Sequence, residues 1–237
     1  GPFASVVNSD LSDAVAEGRL LMVIEFLDLD DATGIIEDSD VTLVIYRATD
    51  YDYPPYPTNN FSGYGQFLVE MSTATVVPNV AIVNGQMLVP AGTFLYLSVA
   101  IPGMGDLMIF EPELQFTVQD DFSGLTAGHI DGAVPGRTLD ILPNETGVGN
   151  ENGSLLDMLV TSVFELQPNV DIDGDGQLEQ FSDNSPNHPG WDEFISLCVD
   201  YFGQFDDDNC PQRPEIWDGY SISLGFTAVP AEIMGSI

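Results

Sequence analysis

The chain has no lysine, and its only basic residues, Arg19, Arg47, Arg137 and Arg213, stand against 38 aspartates and glutamates. Nothing is available to neutralise phosphates, which excludes nucleic acid as a partner. The same deficit argues against docking on anionic lipid. Cysteine and histidine are scarce. His129 and His188 are far apart with no ligand spacing between them, so no zinc site can be assembled from them and two cysteines. No apolar run reaches the roughly 18 residues of a membrane span. Catalytic signatures are missing too. There is no G-x-S-x-G elbow, neither histidine sits in a recognisable catalytic frame, and the scattered arginines suggest no phosphate clamp. Hydrolysis needs an activated nucleophile or a positioned acid–base pair, and only a glycosidase-like carboxylate pair is left open by this composition.

What is present is apolar surface and negative charge. Hydrophobic residues make up 44% of the 237 and aromatics 10%, enough to build a core and unlike a disordered acidic tail. The formal net charge of -34 makes the compact state repel itself at low ionic strength. Salt and bound divalent cations both relieve that repulsion, which points to a saline exterior; a salt-adapted cytoplasm is the rival explanation. Gly1-Pro2 looks like a protease scar, so the absence of a visible leader before it is uninformative. Cys198 and Cys210 flank an acidic loop. A disulfide between them suits a secreted protein, and two free thiols are the plainer alternative.

Along the chain, Asp10–Gly18 reads as a short helix ended by its glycine. Leu20–Leu27 and the β-branched Val41–Tyr46 read as strands. Further strands are expected at 67–71, 76–83, 86–89, 93–100, 107–110 and 114–118. Asn84-Gly85 is the strongest hairpin signal, because both turn residues must accept positive φ. Residues 20–135 therefore form a β-rich core. The texture changes in 136–211. Arg137–Leu142 reads as one helical turn, and Ser154–Leu166 as a helix capped by Asn152 or Ser154. Trp191–Phe202 reads as the clearest amphipathic helix. Residues 212–237 return to strand character at Tyr220–Val229, expected to rejoin the first sheet. The predicted architecture is a single domain over 1–237, mainly β: an antiparallel sandwich or barrel-like sheet with a helix–calcium loop–helix excursion in the C-terminal third.

The motif with chemistry is Asp171-Ile172-Asp173-Gly174-Asp175-Gly176. Carboxylates at alternate positions 1, 3 and 5 converge on one hard cation, and glycine at 6 permits the sharp turn that brings the chain round. Gln177 at position 7 would contribute its carbonyl, Leu178 would be the apolar anchor, and Glu179 stands at position 9. Position 12 is Ser182 rather than a bidentate glutamate, with Asp183 the nearest substitute. The expected cofactor is Ca2+, held by Asp171, Asp173, Asp175, Gln177, Glu179 and Asp183. Against it stands a solvated acidic turn, which a chain this acidic forms easily. A second cluster, Asp206–Pro211, resembles the ends of thrombospondin type 3 calcium repeats but lacks the rest of that repeat. The turn Asp28-Leu29-Asp30-Asp31 is a weaker candidate.

Residues 50–65 form an aromatic, proline-rich loop. Tyr51, Tyr53 and Tyr56 are candidates for stacking on a sugar ring or presenting a protein-binding face, each a rigid apolar plate with a polar tip. The alternative is that the loop folds back with its rings buried.

The segments AVAEGRLLMVIEF, GLTAGHIDGAVPGRTL and DIDGDG with DGYSISLGFTAVPAEIMG resemble, in patches, an uncharacterised family of secreted proteins or lipoproteins of myxobacteria and their marine relatives. The resemblance implies an extracellular or cell-surface location, with a lipid on a preceding amino terminus as one route of attachment, and implies no reaction. The sequence thus leads to a non-catalytic, calcium-stabilised surface or secreted β-domain whose partner is a surface glycan, a protein or another copy of itself. The alternatives are a secreted carbohydrate-active hydrolase using a carboxylate pair, and a carrier of apolar ligands.

Overall fold

The structure, a computed structural model, describes residues 14–15, 17–30, 37–52, 59–101, 105–119, 121, 123–144, 153–160, 166–172, 176, 178 and 218–237. The chain is mainly β. Its strands are β1 (Met22–Leu27), β2 (Glu37–Asp50), β3 (Gly65–Val83), β4 (Gln86–Val89), β5 (Tyr96–Ile101), β6 (Gly105–Val118), β7 (Leu125–Pro135), β8 (Gly219–Ala228) and β9 (Ala231–Ser236). Two short helices, α1 (Gly136–Ile141) and α2 (Leu155–Val160), are described between β7 and β8. The strands join in the order β1-β2-β3-β4-β6-β7-β8, with β5 on β6 and β9 on β3. Of the registers defined, only β3–β9 is parallel.

By hydrogen bonding the strands form one open, mainly antiparallel sheet. Two long strands prevent a division into separate sheets. Residues 67–71 and 76–83 are one strand, β3, and residues 107–110 and 114–118 are one strand, β6. Within β6, Glu111 takes φ 42 and Pro112 offers no N–H, so the strand bends there without ending. By packing, the chain falls into two compact units: Gly1–Thr93 with Glu113–Ile130 and Leu224–Ile237, and Phe94–Pro112 with Asp131–Ser223.

In the first unit, β2 is buried on both faces. Val44 and Tyr46 pack with Leu21, Val23, Phe67 and Val69, while Leu43 and Ile45 are buried on the opposite face. An uninterrupted apolar run such as VTLVIY suits a strand covered on both sides. The ring of Phe116 meets Phe26 and Phe226 edge-on at centroid separations of 6.0 and 6.2 Å. Asn84 (φ 51) and Gly85 (φ 72) make the expected hairpin between β3 and β4. Gly18 (φ 69) ends the first helical turn, with Arg19 N donating to Ala14 O and Gly18 N to Val15 O, the paired bonds of a Schellman ending.

β3 carries two irregularities against β2. Between Val80 and Val77 one extra residue is accommodated at Pro78-Asn79, with Asn79 at φ 58. Between Thr75 and Glu70 the chain takes a larger detour. There Thr73 Oγ1 accepts from Arg47 N at 3.0 Å and donates to Glu70 O at 2.7 Å, replacing ladder bonds that the detour removes.

In the second unit, β5 pairs with the first half of β6, and Leu97, Val99, Leu107 and Ile109 are buried there. α2 begins with a reciprocal cap: Ser154 Oγ accepts from Asp157 N at 3.0 Å, and Asp157 Oδ2 accepts from Ser154 N at 3.1 Å. Ser154, not Asn152, is therefore the cap. The expected helix over 154–166 is described only to Val160, and Leu166–Val170 is not helical. The helix–calcium loop–helix excursion is thus not supported. The chain reaches Asp171 from an extended segment, because Val170 bridges to Gly219. The expected helix Trp191–Phe202 and the pair Cys198 and Cys210 lie outside the described residues.

Candidate functional site

The acidic loop is held by its entry. Val170 N donates to Gly219 O and Gly219 N to Val170 O, at 3.2 and 3.0 Å. The Asn169 side chain extends this ladder by one rung, accepting from Ser221 N at 2.8 Å and donating to Ser221 Oγ at 2.7 Å. Ile172 is buried at 2% exposure, and its N–H donates to Oδ1 of the fully buried Asp218 at 2.9 Å. Asp218 O accepts from Gly136 N at 3.1 Å, tying the same point to the start of α1. Gly219 allows a close approach: a Cβ there would stand 2.6 Å from Ile172 Cδ1 and 3.0 Å from Val134 O, so Ile172 would have to shift. Chain leaving at Ile172 and chain returning at Asp218 are thereby fastened together.

Beyond this clamp, Asp171 Oδ2 accepts from Gly176 N at 2.8 Å, and Gly176 takes φ 86. The bond closes the backbone from position 1 to position 6, with the other two aspartates of the motif between its ends. Asp171 and Gly176 are exposed. Asp173, Asp175, Gln177, Glu179 and Asp183 lie outside the described residues. Leu178 is 56% exposed, so it is not the apolar anchor; Ile172 takes that part. Ile172 was visible in the sequence as the apolar residue inside the motif. Asp218 carried no signal, as one acid among 38. Among the described residues, no group of three or more His, Cys, Asp or Glu side chains stands within metal-binding reach. In the turn after β1, Asp28 Oδ2 accepts from Thr42 Oγ1, and Asp30 N donates to Asp38 Oδ2, so these aspartates serve the turn and the β1–β2 connection. Asp31 and Asp206–Pro211 are outside the described residues.

The aromatic loop is described at both ends. Tyr51 is 48% exposed, Phe61 46% and Tyr64 88%, so these rings are not folded into a core. Tyr53 and Tyr56 lie outside the described residues. The turn at 59–64 is well tied. Ser62 N and Oγ both donate to Asn59 O, Asn59 Nδ2 donates to Asp52 Oδ2 at 2.7 Å, and Tyr51 N donates to Gln66 O. His129 is exposed on β7. No helix among the described residues is long and apolar enough to cross a membrane. None of the family profiles, curated protein sequences or solved structures compared with this chain matches it.

Proposed function

We propose that the protein is a non-catalytic β-domain stabilised by calcium, working outside the cytoplasm as a binding or structural part of a cell surface or secretion. The observation that carries this reading is the closure of Asp171 onto Gly176 beside a fastened loop base. A turn of that form draws alternate carboxylates toward one point, and hard oxygen donors suit Ca2+. Asp171, Asp173, Asp175, Gln177, Glu179 and Asp183 would hold the ion. Its charge would offset local repulsion, and binding to the folded state alone would add stability by linkage. The extracellular location rests on the acidity, the cysteine pair and the patchwise family resemblance. A glycan remains a candidate partner, favoured by the exposure of Tyr51.

Thermal unfolding in calcium, in magnesium and in excess chelator, at constant high ionic strength, tests the reading. Chelator should lower the melting temperature, calcium but not magnesium should restore it, and Asp173→Ala with Asp175→Ala should abolish the response. Identical melting in all three conditions would sink it.

A further inference from the structure

Among the described residues the carboxyl-terminal strand β9 pairs with β3 alone, and every residue along it is exposed or half-buried. Leu68 pairs with Gly235, and Ile237 N donates to Val69 O at 3.0 Å. In a parallel ladder alternate residues bond to the same neighbour, so Ser236, between Gly235 and Ile237, turns its N–H and C=O groups away from β3, and the register slips at Met234, which has no partner there. Such an edge is a template for another strand, and proteins usually blunt it with charge, proline or a covering loop. β9 has little of this. Glu232 is its one charge, and that carboxylate accepts from Gln66 Nε2 at 2.9 Å.

Of the large apolar side chains exposed among the described residues, Met234 lies on β9 and Ile237 just past it, while Phe61 and Tyr64 lie on the turn that leads into its partner β3. The turn bearing Phe61 and Tyr64 runs directly into the start of β3 that β9 pairs with, and a Cβ on Gly63 would stand 3.8 Å from Pro230. At about 150–250 Å2 for a whole aromatic side chain, the exposed fractions of these four amount to roughly 400–600 Å2. That approaches the roughly 800 Å2 per partner of a standard interface.

Charge identifies the occupant. Residues 219–237 carry a single acid and no base, in a chain with 38 acids and a net charge of -34. Two copies repel each other least where this segment meets its equal. An antiparallel pairing of β9 with β9 across a two-fold axis is self-complementary and closed, and it uses up the free edge on both chains. We infer that β9 and the flanking aromatic turn form a homodimer interface in which the sheets of two copies join through their β9 strands.

Sedimentation velocity across the micromolar range, at low salt and at about 1 M NaCl, where the Debye length falls to about 3 Å, tests this. The wild-type protein should form a dimer whose dissociation constant falls as salt rises. The double substitution Met234→Glu and Ile237→Glu changes exposed side chains only, so circular dichroism and melting should stay near wild type while the dissociation constant rises more than about tenfold. A wild-type protein that stays monomeric at high salt overturns the inference and leaves the edge to a foreign strand. A double variant that dimerises as well as wild type overturns it too. The calcium reading is scored by melting rather than mass, so either proposal can fail without the other.

Discussion

Tyr46 shows how one residue records its surroundings. Burial, then its hydrogen bond to Glu25 and the charge of that carboxylate, push its phenol up to about 12. The unfolded chain would lose this proton near pH 10. Between pH 10 and about 12 the unfolded state therefore holds fewer protons than the folded one, and stability should fall as pH rises through that window. Burial also raises Tyr96 and Tyr220, so absorbance titration should show several tyrosines ionising late, and Glu25→Gln should bring the Tyr46 ionisation earlier without restoring the ordinary value, since burial remains. Asp218 and Tyr220 make a second residue-scale comparison. Asp218→Ala strips the buried Ile172 N–H of its acceptor and should cost about 1–3 kcal/mol in denaturant titration. Tyr220 Oη is buried without a hydrogen-bond partner among the described residues, so Tyr220→Phe should leave stability unchanged or raise it.

At the scale of elements, the detour in β3 depends on Thr73. Thr73→Val removes both of its hydrogen bonds and should cost about 1–2 kcal/mol, while Thr73→Ser should stay close to wild type; denaturation midpoints decide it. The stretch Ser72–Thr75 is also where the sequence reads as a break between strands, since no local pattern announces that a hydroxyl will stand in for ladder partners. β1, β2, β8 and the Asn84-Gly85 hairpin were legible because apolar density or turn chemistry dictates them locally. β7 was not, because Gly128 and Gly132 depress strand propensity. Those glycines belong to packing: a Cβ at Gly128 would stand 2.6 Å from the Phe226 ring, and one at Gly132 would stand 2.5 Å from Ile109 Cγ2. β9 was illegible for a different reason, because its partner β3 lies far away in sequence. Of the candidate site, the Asp171–Gly176 turn was legible as a spacing of acids and glycine. Its anchor was not, since the acceptor for Ile172 comes from residue 218.

For the whole molecule, excess charge is the dominant variable. Few ion pairs offset it among the described residues: Arg19 meets Glu17 at 2.6 Å with both side chains largely exposed, and Arg47 lies 3.8 Å from Glu70. Exposed pairs of this kind contribute about 0–1 kcal/mol, too little to counter a net charge of -34. The melting temperature should therefore climb steadily with sodium chloride, even in chelator, as screening shortens the range of repulsion. A melting temperature indifferent to salt would show that the acids are already far enough apart to ignore one another. Calcium should add its increment on top of this slope, largest at low salt.

The fastening of Ile172 to Asp218 and of Asn169 to Ser221 has a consequence for how this chain can change over generations. Chain departing at residue 172 returns at a point already held beside it, so the sheet does not depend on the intervening stretch to bring β8 into place. Doubling or halving a flexible connection alters its closure cost by only about 0.6 kcal/mol. Inserts of different length or chemistry between Ile172 and Asp218 should thus be exchangeable while the β framework stays the same.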